Sequence, residues 1–279
     1  MIIYDHDGSQ IPFKKFIFPD GQPHLELLID GHLKDGDIAT IETAIRNPDE
    51  LFQVVLACDS LYRAGYQPHL DIRYLMGARM DRPINNRSPF TLEVVAEILG
   101  YGANCPIRIL DPHSDISLKK LNAKAVYPTR IVDELLKKFS PDTTVLVSPD
   151  RGALARFPLM TTKLKHYEIV HGSKIRDIST GHLTAFNIDY SYMVKNKNCL
   201  ILDDICDGGG TFAGLASILN EAGASRVDLF VTHGIFSKTL PIPGIKSVFT
   251  TDSFSADPIC PWWGTRFPIS MQELRSSRD

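Results

Sequence analysis

Residues 200–211, LILDDICDGGGT, hold the densest chemistry in the chain. An apolar run of strand type leads into two adjacent carboxylates, Asp203 and Asp204. A third, Asp207, precedes three glycines, Gly208, Gly209 and Gly210, and then Thr211, with a helix expected from about 212 to 222. Glycines let successive backbone N–H groups converge on an anion, a threonine hydroxyl adds a donor, and the N-terminus of the following helix adds a favourable dipole. The paired aspartates suit two jobs: accepting hydrogen bonds from vicinal sugar hydroxyls, or holding Mg²⁺ directly or through water. The bland alternative is an acidic glycine turn with no ligand. Neither GxxxxGK[ST] nor GxGxxG occurs in this stretch, so the common nucleoside-triphosphate and dinucleotide loops do not explain it.

Such a turn needs a parallel sheet behind it, and the chain supplies the pattern for two. NPDELFQVVLACDSLYRAG opens with Asn47 as cap and Pro48 in the first turn, and predicts a helix that ends at Gly65. HLDIRYL (69–75) alternates like a strand, 89–100 reads as a helix, and IRIL (107–110) as a short buried strand. After a helix near 129–138 and the polar break FSPDTT, the alternation resumes with VLVS (145–148), a helix near 152–165, YEIV (167–170), CLIL (199–202) and VDLFV (227–231). Strands alternating with helices predict parallel sheets covered by helices, here as two α/β units, 1–138 and 139–279. In open parallel sheets ligands collect beyond the carboxyl ends of the strands, so the residues just after each strand are the ones to inspect.

Composition narrows the partners. With 279 residues, 43% apolar content and a net charge of −3, the chain has ample material for a core, and intrinsic disorder is excluded. Its 30 basic and 33 acidic residues are interspersed, which argues against dedicated nucleic-acid binding. No secretory pattern or membrane-length apolar run is visible, so a cytoplasmic enzyme without membrane partners is expected. Five cysteines at 58, 105, 199, 206 and 260 show no CxxC spacing and read as reduced core residues, not a zinc site.

The 200–211 segment closely resembles the PRPP-binding loop of type I phosphoribosyltransferases. Further segments resemble, in order, those of the ribose-phosphate pyrophosphokinase (PRPP synthetase) family: FPDGQ (18–22), YLMGARMDRP (74–83), ILDPHS (109–114), VLVSPDRG (145–152) and THGIFS (232–237). The resemblance implies two tandem phosphoribosyltransferase-like domains, the first binding ATP and the second ribose phosphate. It implies Mg²⁺ as cofactor, ATP as co-substrate, and transfer of the β,γ-diphosphate of ATP to the anomeric hydroxyl of ribose 5-phosphate. By the same resemblance Asp203, Asp204 and residues 207–211 hold the sugar, Arg79 and Asp81 the ATP phosphates, and His113 and Asp150 the metal, His113 also being catalytic. The alternative for Asp150 is a helix cap. Phe18, Asp20 and Gln22 would address ATP in a neighbouring subunit, which implies a homo-oligomer. Lys174 and Arg176, in HGSKIRDIS, would be the catalytic Lys-x-Arg pair, carried on a loop that closes over the transferring group.

Departures from the family bear on the acceptor. Gln22 stands where Glu is usual and Met80 where Gln is usual. PINNR replaces the basic stretch after Arg82, which weakens the case for allosteric phosphate control. The phosphate loop reads DGGGT where DTGGT is usual, so Gly208 lacks a hydroxyl donor and a Cβ. A roomier loop, with Arg151 adding a cation close by, points to ADP-ribose as an alternative acceptor in NAD synthesis. An inactive regulatory relative and a base phosphoribosyltransferase are the other readings. The first is disfavoured by Lys174 and Arg176, and the second leaves the SPD, DPH and ARMDR segments without a role.

Overall fold

A computed structural model describes residues 1–29, 36–176, 183–238, 240–257 and 264–269. The chain divides into two compact units, residues 1–126 and 127–279. The sequence places the break twelve residues later because 129–138 follows the first alternating run; in the structure that helix packs into the second unit. Its Ile131, Val132, Leu135 and Leu136 share a core cluster with Leu146, Phe157, Leu200 and Phe230.

The first unit contains β1 (Ile2–Tyr4), β2 (Phe13–Ile17), β3 (Pro23–Leu27), β4 (Ile38–Ile45), α1 (Pro48–Arg63), β5 (Gln67–Leu75), α2 (Thr91–Gly102), β6 (Ile107–Leu110), α3 (Asp115–Leu121) and β7 (Lys124–Val126). Its main sheet runs β1-β4-β5-β6-β7, with β4 to β7 parallel and β1 antiparallel at the edge. α1 forms where expected: Asn47 accepts from the Glu50 amide at 2.9 Å, and Leu51, Val54, Ala57, Cys58 and Leu61 make a buried stripe. β2 and β3 form a separate antiparallel ribbon.

The second unit contains α4 (Thr129–Leu136), β8 (Thr144–Ser148), α5 (Arg151–Met160), β9 (Glu168–Arg176), β10 (Leu183–Ile188), β11 (Asn198–Cys206), α6 (Gly210–Glu221), β12 (Arg226–Gly234), β13 (Ser247–Thr251) and β14 (Gly264–Phe267). The sheet order is β10-β9-β8-β11-β12-β13-β14, parallel from β9 to β14. β11 lies between β8 and β12 and is apolar on both faces, as a strand covered on both sides must be. Cys199 and Ile201 join the cluster under α6, whereas Leu200 and Leu202 join the one under α4 and α5.

The thiols of Cys58, Cys105, Cys199 and Cys206 are free, and burial pushes that of Cys199 up to about 12; Cys260 lies outside the described residues. Among the described residues no helix is long and apolar enough to cross a membrane.

Phe157 is fully buried between α5 and the sheet. Phe157→Ala is expected to cost about 3–5 kcal/mol through lost transfer energy and a residual cavity, measured by urea unfolding.

Candidate active site

In the second unit, the carboxyl ends of four hydrogen-bonded neighbours, β9, β8, β11 and β12, carry the candidate sugar-site residues. β8 ends at Ser148, and Asp150 follows as the N-cap of α5, accepting from the Ala153 amide at 3.0 Å. The capping role foreseen for this aspartate is the one the structure displays. β11 ends at Cys206 and passes through residues 207–209 directly into α6. Gly209 adopts a left-handed conformation at φ 75°, and a Cβ there would press on Ile242 Cγ1 at 3.1 Å, so both backbone and packing call for glycine. Gly210 opens the helix with nothing within 4 Å of where a Cβ would be. Amides at an open helix N-terminus are the arrangement that receives an anion.

Asp203 and Asp204 are the sixth and seventh residues of β11, still within the strand. Successive strand residues point to opposite faces, so the pair divides. Asp204, 3% exposed, meets Arg156 of α5, with Nη1 2.9 Å from Oδ1. Asp203 accepts from the Asp204 amide at 2.9 Å. Burial pushes the Asp203 carboxyl well above its ordinary range, and the neighbouring Asp204 pushes it further. Such a carboxylate favours any arrangement that brings hydroxyl donors or a cation to it.

Arg156 was not among the expected site residues, although its position signals the role. Ala153, Arg156, Phe157 and Met160 form an i, i+3, i+4, i+7 row, and the other three are buried. A cation in such a row requires a carboxylate beneath it.

Lys174 and Arg176 do not sit in a loop between strands. They occupy the last turns of the ladder of β9, Lys174 opposite Phe186 and Arg176 opposite Leu183 of β10. β9 outruns β8, whose last partner is His171, and the extra residues gain hydrogen bonds from β10 instead. The ribbon is tied at its base by His171 Nε2 and Asp189 Oδ2 at 2.9 Å. Residues 177–182 lie outside the described residues.

In the first unit, Arg79 and Asp81 follow β5, and His113 follows β6, so adjacent parallel strands deliver them to the same sheet edge. Arg79 and His113 are exposed and Asp81 is half-buried. Phe18, Asp20 and Gln22 are the turn of the β2–β3 ribbon, closed by Phe18 N–H donating to Gln22 O at 2.8 Å and the Gln22 amide to Asp20 Oδ1 at 3.1 Å. Phe18 is 46% exposed, with its ring centroid 5.2 Å from that of Phe16, and is not a core residue.

The chain has known relatives. The phosphoribosyl transferase domain family matches residues 123–261. A ribose-phosphate pyrophosphokinase of Mycoplasma pneumoniae is 32% identical over 80% of this chain and 68% of its own length. The chain belongs to the ribose-phosphate pyrophosphokinase family. Another member, from Thermococcus kodakarensis, is 30% identical over 79% of this chain and 77% of its own length. The fold is that of a solved phosphoribosylpyrophosphate synthetase from Mycobacterium smegmatis, with a TM-score of 0.79, 22% identity, and coverage of 97% of this chain and 90% of that one.

Two measurements test the acidic pair. Arg156→Met strands the buried Asp204 charge and is expected to cost about 3–5 kcal/mol in urea unfolding. Because Asp203 holds its proton more tightly folded than unfolded, stability falls as pH rises from the ordinary value of 3.8 towards the raised one. Asp203→Asn removes that loss, so its thermal midpoint exceeds the parent's at neutral pH, and the gain shrinks as the pH is lowered towards 3.8.

Proposed function

We propose that the chain is a Mg²⁺-dependent ribose-phosphate diphosphokinase that transfers the β,γ-diphosphoryl group of ATP to the anomeric hydroxyl of ribose 5-phosphate, giving PRPP and AMP. The observation that carries this reading is the carboxyl end of β11, where an aspartate pair, Asp204 buried and Asp203 half-buried, runs into a glycine turn that opens α6, in a chain of this family. Asp203 accepts hydrogen bonds from the vicinal hydroxyls of the sugar, and the amides of 208–211 take its 5-phosphate. The anomeric oxygen attacks the β-phosphorus, the bond between that phosphorus and the α–β bridging oxygen breaks, AMP departs with the bridging oxygen, and the hydroxyl proton is released. No protein nucleophile is needed: the chain contributes alignment and charge. Lys174 and Arg176 neutralise the migrating diphosphate. Arg79, Asp81 and His113 orient the nucleotide phosphates at the edge of the first sheet. Phe18, Asp20 and Gln22 address adenine from the exposed ribbon tip, in a neighbouring copy within a homo-oligomer.

The donor set suits Mg²⁺. Among the described residues the only group of three or more His, Cys, Asp or Glu side chains with ligand atoms mutually within 4.8 Å is Asp5, His6 and Asp37, away from the strand ends discussed here. Mg²⁺ commonly binds through one or two carboxylates, substrate phosphates and water, not an all-protein cage. In the second unit the carboxylates of Asp203 and Asp150 are the groups that would hold such an ion, in the first unit the imidazole of His113 is, and the metal would supply charge neutralisation at the diphosphate.

ADP-ribose is the second acceptor to weigh, on the strength of Gly208 and of Arg151, which is exposed at the first position of α5. Paired kinetics with the two sugars, read as AMP release, decide between them: ribose 5-phosphate is expected to give the higher kcat/KM, and a strong preference for ADP-ribose would reverse the assignment. Lys174→Ala is expected to lower kcat about a hundredfold or more while both KM values move little, the pattern of a group that acts on transition-state charge.

A further inference from the structure

We propose that Lys238 grips the 5-phosphate of the acceptor, standing against Gly208 as a cationic replacement for the hydroxyl donor that related loops carry there. The inference rests on reading residues 207–211 as the sugar-phosphate cradle.

The open space expected beside Gly208 is bounded by a side chain. A Cβ at 208 would lie 3.4 Å from Cδ, 3.5 Å from Cε and 3.7 Å from Cγ of Lys238, which is ordinary contact. Gly208 has no left-handed φ, so the backbone does not demand glycine there, unlike at Gly209.

The segment carrying this lysine is fixed to the cradle. Beyond β12, the amides of Ile235 and Phe236 both donate to Cys206 O, at 2.9 and 3.2 Å, so the chain folds back over the end of β11. Ser237 donates to Asp207 Oδ1 at 2.5 Å. Asp207 therefore has its own hydroxyl donor, while exposed Lys238 makes no hydrogen bond or ion pair among the described residues. An ammonium on a flexible stem held at its base is a fitting phosphate ligand. Exchanging a neutral donor for a cation strengthens the grip and makes it depend on ionic strength.

The test uses the full chain and the variants K238A, K238M and K238R. Ribose 5-phosphate binding is measured by calorimetry without ATP, and KM for each substrate by AMP release. K238A and K238M are expected to weaken sugar binding and raise its KM by about tenfold to a hundredfold, with the KM for ATP and the thermal midpoint unchanged. K238R should restore most of the affinity, and K238A/G208T, which returns a hydroxyl donor to the cradle, should recover part of it. Equal sugar affinity in wild type and K238A overturns the role of Lys238. A K238A defect in both KM values together with a lower thermal midpoint also overturns it, since that marks packing. If the wild type binds the sugar but forms no 1-diphosphate, the proposed reaction falls, while a loss of affinity in K238A still supports the grip.

Discussion

Two aspartates side by side in a strand flanked on both sides within a parallel sheet are an electrostatic liability, and much of the second unit is organised around bearing it. β11 has a hydrogen-bonded strand on each side and helices on both faces, so Asp204 is buried and Asp203 half-buried there. One charge is met by Arg156 from α5, in an ion pair with both partners largely buried. The other is left with an amide donor and a raised proton affinity. Replacing such a pair by hydrophobic residues of similar size often costs nothing or stabilises, so retaining it calls for a reason beyond folding. A polyhydroxylated ligand or a metal supplies one.

The division of the pair across the sheet also separates its roles. Asp204, committed to α5, anchors the strand's carboxyl end against the helix that Asp150 caps, so the cap and the ion pair together fix β8, α5 and β11 as one frame. Asp203, on the α6 side, shares its face with the helix whose N-terminus forms the cradle. In the proposed function, sugar hydroxyls and sugar phosphate would thereby be addressed from one strand end and one helix start, a short and stiff connection. A ribose phosphate is itself compact, and fixing its two ends relative to each other orients the anomeric carbon without further contacts.

How much of this was legible in the sequence follows from where the signals are local. The strand-to-helix turn at 198–221 was readable because apolar run, carboxylates, glycines and helix lie within one stretch of chain. α1, β6 and β8 were readable from caps and hydrophobic runs. The β2–β3 ribbon was legible only as the FPDGQ motif, since Phe13–Ile17 reads Phe-Lys-Lys-Phe-Ile and lacks strict alternation. The extension of β9 through Lys174 and Arg176 was not legible: its residues are polar, and they become strand only because β10, arriving later in the chain, pairs with them. The place of α4 in the second unit was hidden for the same reason, as its apolar stripe identifies a buried face but not the sheet that buries it. The contact of Lys238 with Gly208 joins positions thirty residues apart through a fold-back after β12, which no spacing rule encodes.

The two sheets also offer different groups to an anion. In the second unit the anion is offered backbone amides on a turn whose shape is locked by Gly209 at φ 75°. In the first, β5 leads into the long segment 76–90 and β6 into residues 111–114, where the available groups are side chains, exposed Arg79 and His113 among them. Amides fixed by a helix start hold a group that must stay still; long cationic side chains can follow one that moves. For a reaction in which the sugar phosphate remains seated while a diphosphate departs from the nucleotide, that asymmetry is the expected one. It accounts for a glycine-rich cradle in only one of two units built on the same alternating plan. Lys238 extends the logic: a flexible cation laid against a rigid cradle restores the grip lost with the missing hydroxyl, without disturbing the turn that Gly209 and Gly210 maintain.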